Sequence, residues 1–206
     1  MALSLVKGQT LSLVKSNGGK LTRVRIGLGW EVLAEPMDLD TEVFMCNNVT
    51  GKPVCDKDAY MIFYGQPKEA DGKTIIGPNG AIVHHGDNRT GAGDGDDESI
   101  DIDFTKMDAL GDVNELMVFV TIYEQKSPHV QNFGMLKEAY IRVYDMDTNA
   151  ELCKYDLDAN FPGKFSVQVG SFKKQPTGEW SFEAIGEGYD RDLGAVGKAL
   201  GVPFCQ

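Results

Sequence analysis

Long apolar runs are missing from this chain. No stretch of eighteen apolar residues occurs, and residues 1 to 16, "MALSLVKGQTLSLVKS", hold no run long enough for a signal-peptide core. No transmembrane segment is expected, and the chain reads as cytoplasmic. Positive charge is scarce as well: 20 Lys and Arg stand against 31 Asp and Glu, for a formal net charge of −11. The bases are scattered. Binding a phosphate backbone relies on clustered Lys and Arg, so no nucleic-acid partner is expected, whereas the excess of acid suits cations. Cysteine is limited to Cys46, Cys55, Cys153 and Cys205, with no C-x-x-C spacing and no histidine cluster nearby. That pattern argues against a zinc site and reads as free thiols in a reducing compartment.

Glycine is plentiful, at 24 residues, and it separates short stretches of alternating polarity. "LSLVK" occurs at 3 to 7 and again at 11 to 15, in the pattern of two edge strands. From Thr22 to Trp30 the alternation is cleaner: Val24, Ile26, Leu28 and Trp30 share one parity, Arg23, Arg25, Gly27 and Gly29 the other. Further strands are expected at 40–46, 59–64, 81–85, 99–104, 115–123, 138–145, 151–157, 164–172 and 179–185. Turn sequences such as "NNVTGKP", "GPNG" and "FPGK" lie between them. Short helices are expected near 105–112 and at 193–200. Many short strands without regular intervening helices predict an all-β fold, an antiparallel two-sheet β-sandwich with minor short helices. Nothing resembles a linker, so residues 1–206 read as one domain.

One segment is chemically unusual. From Asp87 to Asp103, seven carboxylates and the single base Arg89 share seventeen residues, with glycines threaded through "GDNRTGAGDGDDES". Carboxylates about 4 to 6 Å apart raise one another's pKa and oppose folding, and a divalent cation reverses that sign. Calcium takes six to eight hard oxygen ligands, and the glycines let the backbone turn tightly enough to offer carbonyls beside the side chains. The parity of "ESIDIDF" sets Glu98 on the side of Ile100 and Ile102, aimed back toward the loop, and turns Asp101 and Asp103 outward as solubilising charge. Asp38 and Asp40 in "MDLDTE" share one face and are expected to complete the site from across the sheet. Asp145, Asp147, Asp156 and Asp158 sit at turns, where capping is the expected role.

The rival readings fit less well. An EF-hand starting at Asp94 would place Ser99 where glycine is required, and the G-G-x-G-x-D repeat occurs only once. A glycosidase needs two carboxylates lining a cleft, whereas these acids crowd one loop. His84 and His85 alternate to opposite faces, and "GLGW" at 27–30 lacks the strand-to-helix setting of a phosphate loop. A plain solvated acidic turn is the bland alternative, and the flanking strands count against it.

Taken together, "GLGW", "DLD" at 38–40, "GDNRTGAGDGDDESI" at 86–100, "VTIYE" at 120–124, "QNFG" at 131–134, "AYIRVYD" at 139–145 and "GEGY" at 186–189 resemble the TerD family of tellurium-resistance and stress-response proteins. The resemblance spans nearly the whole chain. It implies a β-sandwich binding two calcium ions without enzymatic activity, acting in tellurite resistance and in protection against chemical stress, phage and colicins. It further implies partnership with other tellurium-resistance proteins in an assembly near the inner membrane. Carried over by position, the metal ligands are Asp38, Asp40, Asp87, Asn88, Asp94, Asp96, Asp97 and Glu98, with Gly93 as a backbone ligand. The chain departs from many members at Glu31 and Glu124, where Asp is usual, and in segment 66–80, which is longer.

Overall fold

The computed structural model describes residues 3–4, 6–15, 18–33, 35–91, 95–123, 130–157 and 161–206, with residues 3 and 4 described by backbone alone. Two sheets face each other. One has seven strands, in the order β1 (Leu3–Ser4), β11 (Ala150–Asp156), β10 (Leu136–Asp145), β3 (Arg23–Val32), β8 (Glu98–Asp103), β7 (Ile82–His84) and β6 (Ile75–Ile76). The other has six: β2 (Thr10–Ser12), β13 (Trp180–Tyr189), β12 (Ser166–Lys174), β9 (Glu115–Tyr123), β4 (Asp38–Cys46) and β5 (Met61–Ile62). All pairings between named strands are antiparallel except β1 with β11. The two "LSLVK" copies contribute edge strands, as their alternation predicts, and the structure puts one in each sheet.

The core follows strand parity. Val24, Ile26, Leu28 and Trp30 of β3 are buried, as are Ile100 and Ile102 of β8 and Leu116, Val118, Val120 and Ile122 of β9. At one end the core is aromatic. Phe104 stacks on Trp180 with ring centroids 5.0 Å apart and lies 5.5 Å from Phe172, which lies 4.8 Å from Phe182. Phe172 is opposite Leu116 and Leu116 opposite Met45, whereas Asp40 pairs with Thr121 further back along the same ladder. Five residues of strand separate Met45 from Asp40, about 16 Å at 3.3 Å per residue, so the aromatic plug and the acidic residues occupy opposite ends.

Three expectations are corrected. Residues 59–64 are not one strand: a 3-10 turn, Asp58–Tyr60, precedes a two-residue β5 that pairs only with Val43 and Phe44. Asp38 belongs to the strand expected from residue 40, so Asp38 and Asp40 lie in the other sheet from the acidic loop's strand β8, not across one sheet from it. Asp101 and Asp103 do more than solubilise. Asp101 takes both Arg25 Nε at 2.6 Å and Nη2 at 2.9 Å, and Asp103 caps helix α1 (Phe104–Asp108) through Thr105 N–H and Lys106 N–H. The C-terminal helix α2 (Leu193–Leu200) has its expected bounds, with Asp192 accepting Ala195 N–H at its start.

Phe172→Ala is expected to cost about 3–5 kcal/mol of unfolding free energy, because the large buried ring is lost from a packed aromatic end. Equilibrium denaturant unfolding checks this, and a loss under about 1 kcal/mol would show that the plug does not support the fold.

Candidate metal centre

Strand β4 presents its acids in a column. Alternation puts Asp38, Asp40 and Glu42 on one face, opposite core-facing Leu39 and Val43. Because β5 stops pairing at Val43, the strand edge at Thr41 has no strand neighbour on that side among the described residues. Glu98 fills the gap from the other sheet. Its Oε2 accepts Thr41 N–H at 2.9 Å, and its Oε1 accepts Asn88 N–H at 3.1 Å. One carboxylate thus fastens the loop after β7 to β4. The consequence is that Asp87 joins the column: one oxygen from each of Asp38, Asp40 and Asp87 lies within 4.8 Å of the others.

These carboxylates are poorly neutralised. Asp38 Oδ1, Asp40 Oδ2 and Asp87 Oδ1 are buried and accept no hydrogen bond, and Glu42 Oε2 is in the same condition. Burial, then the neighbouring Asp87 charge, raises the Asp38 pKa to about 6; burial, then Asp38 and Asp87, raises that of Asp40 to about 8. Burial and Asp40 push both Glu42 and Glu98 well above the usual carboxylate range. The nearby base, Arg89, is 75% exposed and reaches Asp87 only at 3.3 Å. A cluster of orphaned oxygens with no nitrogen or sulfur donor fits a hard cation such as calcium.

The acidic loop is held separately. Asp97 N–H donates to Leu28 O at 2.7 Å, laying residues 95–97 across β3. There "GLGW" provides the floor: a Cβ on Gly27 would stand 2.2 Å from Asp96 Oδ2, and one on Gly29 would stand 2.7 Å from Gly95 O. Asp96 pairs with Arg142 Nε at 2.6 Å, and Tyr140 Oη donates to Gly95 O at 2.8 Å. Asp97 accepts Trp30 N–H at 3.0 Å through one oxygen and Asn88 Nδ2 at 3.1 Å through the other. The Asn88 side-chain oxygen accepts Thr90 N–H at 3.1 Å.

Of the nine predicted ligands, the structure brings Asp38, Asp40 and Asp87 together and makes Glu98 and Asn88 their fasteners. Asp96 and Asp97 are engaged on β3 and β10. Gly93 and Asp94 lie outside the described residues, as do Glu124, His129 and Asp158. Sequence reasoning missed Glu42, which is fully buried with Oε1 accepting Thr121 Oγ1 at 2.7 Å. The signal was present, since the parity that pairs Asp38 with Asp40 extends to residue 42. His84 is buried beside Glu98, Nε2 to Oε2 4.0 Å. Its Nδ1 accepts Gly86 N–H at 3.1 Å and burial lowers its pKa to about 4, so it is neutral with the proton on Nε2.

Comparison with known proteins gives concordant results. The chain matches the TerD domain family over residues 1–199. It is 35% identical over 206 residues to "General stress protein 16U" of Bacillus subtilis (strain 168), covering 98% of each chain. Against "Tellurium resistance protein TerD" of Alcaligenes sp it is 36% identical, again with 98% of each chain covered. A crystal structure of a homologue of telluride resistance protein (TerD) from Streptomyces coelicolor A3(2) superposes with a TM-score of 0.64 at 19% identity, over 90% of this chain and 98% of that one. That likeness concerns the fold.

The raised carboxyl pKa values fix the sign of a pH effect in metal-free protein. Groups whose folded pKa exceeds the unfolded value of about 3.9 bind more protons when folded, so stability falls as pH rises from about 4 through the folded values near 6 and 8. Thermal melts in chelator between pH 5 and pH 8.5 are expected to show a declining midpoint, with the decline reduced in Asp40→Asn. A midpoint rising over that range would contradict the assignment. Separately, Gly27→Ala is expected to cost roughly 1–3 kcal/mol by overpacking against Asp96, measured by denaturant unfolding.

Proposed function

The chain belongs to the TerD domain family, and from that premise we propose that it is a non-enzymatic calcium-binding protein of the tellurium-resistance and stress responses, protective also against phage and colicins. The reading rests on one observation above the others: the buried, unpartnered oxygens of Asp38, Asp40 and Asp87. In water such groups would be solvated, and buried without partners they cost free energy that a bound divalent ion offsets. Calcium bound there supplies positive charge to the column, while Glu98 keeps Asp87 over β4 and Asn88 ties the loop to Asp97. A second ion, as the resemblance implies, would draw on Asp94, Asp96, Asp97 and the Gly93 carbonyl, in competition with Arg142 for Asp96.

The protein is proposed to act in the cytoplasm, peripheral to the inner membrane, in an assembly with other tellurium-resistance proteins. Among the described residues no helix is long and apolar enough to cross a membrane. A second reading, a protein-interaction module in which calcium is only structural, is favoured by exposed Leu33 and Met135, whose backbones are joined at 3.3 Å in the loops preceding β4 and β10. Partner capture indifferent to calcium would select it.

Melting in calcium and in chelator tests the metal. Stabilisation of about 2.7 kcal/mol is expected when free calcium is a hundredfold above Kd, and Asp40→Asn or Asp87→Asn should remove most of it. Equal midpoints would refute calcium binding. Full stabilisation in Asp40→Asn with loss in Asp97→Asn would move the ion into the loop.

A further inference from the structure

Three of the four cysteines converge at the seam where the C-terminal segment docks, away from the metal centre. Asn47 and Val54 exchange both backbone hydrogen bonds, at 2.9 and 3.0 Å, so Cys46 and Cys55 are the next facing pair, in non-hydrogen-bonded register. Such pairs have Cα atoms about 4.5 Å apart, within the span of a disulfide. Both residues are fully buried. Each thiol also faces a carbonyl, Cys46 Sγ to Phe44 O at 3.6 Å and Cys55 Sγ to Lys57 O at 3.9 Å.

Cys205 arrives from the other side. Phe204 N–H donates to Asp58 Oδ1 at 2.8 Å and Cys55 N–H donates to Leu200 O at 2.8 Å, which clamps the tail over the hairpin. Gly197 makes the room: its Cβ would stand 2.6 Å from Cys205 Sγ and 3.5 Å from Met61 Sδ. Cys205 is the only one of the three thiols that is not fully buried. Cys153 lies elsewhere, buried on β11.

We propose that Cys205, Cys55 and Cys46 form a thiol relay that a hydroperoxide drives to a Cys46–Cys55 disulfide. The Cys205 thiolate attacks the peroxide oxygen, giving a sulfenic acid and releasing hydroxide, which a proton converts to water. The Cys55 thiolate then attacks that sulfur and expels a second hydroxide, leaving a Cys55–Cys205 disulfide. The Cys46 thiolate next attacks Cys55 and releases the Cys205 thiolate. In sum, two thiols are oxidised and one hydrogen peroxide is reduced to two waters. The Cys55 contact and burial push the Cys46 thiol far up, and burial raises Cys205, so thiolate is scarce and turnover is slow and stoichiometric.

The test treats the folded full-length chain with hydrogen peroxide, denatures it, alkylates the remaining thiols and maps linked peptides by mass spectrometry over time. Expected are a Cys46–Cys55 linkage with Cys153 and Cys205 alkylated, severalfold slower linkage in Cys205→Ser, and accumulation of Cys55–Cys205 in Cys46→Ala. Cys153→Ser should behave as the parent, and far-UV circular dichroism confirms that each variant is folded. Over-oxidised Cys205 without any linkage would overturn the proposal, as would unchanged linkage rate in Cys205→Ser. None of these readouts depends on calcium.

Discussion

The double acceptance by Glu98 is the interaction on which the acidic end depends. One buried carboxylate takes a backbone N–H from β4 with one oxygen and a backbone N–H from the loop after β7 with the other. A hydrogen bond of this kind contributes about 0.5–1.5 kcal/mol net, and two from one side chain hold elements of opposite sheets in register. The same carboxylate is also a liability, since it lies among Asp40, Asp87 and Glu42 in a site that water scarcely reaches. Register is obtained at the expense of repulsion, which the proposed cation would remove.

The glycines of "GLGW" serve the second half of the acidic segment in a different way. Removing two side chains from the outward face of β3 lets residues 95–97 lie on the strand, where Leu28 O, Trp30 N–H, Arg142 and Tyr140 take up the loop's polar groups. A motif with the look of a phosphate loop is here a bearing surface. Charge gathers at this end, while the Phe104, Phe172, Phe182 and Trp180 plug supplies apolar burial at the other.

The strands were largely legible, because period-2 alternation reports burial residue by residue: β3, β8 and β9 lie where their parity puts them. Asp38 and Asp40 were legible as a pair for the same reason. Glu42 was legible in principle, since it shares the parity of Asp38 and Asp40. The shortness of β5 was hidden, because "AYMIFY" has strand composition and only its pairing partners limit it to two residues.

By itself the sequence determined the sandwich class, the faces of the long strands and the presence of an acidic segment seeking positive charge, all of which follow from the local geometry of alternating side chains. Only the tertiary structure decided that Asp87 meets Asp38 and Asp40, that Asp96 is held by Arg142, and that the segment carrying Cys205 docks on the hairpin that carries Cys55. Each of those meetings depends on where one strand stops pairing and on how one sheet or terminal segment lies against another, and such relations are set by packing between segments that are distant in sequence.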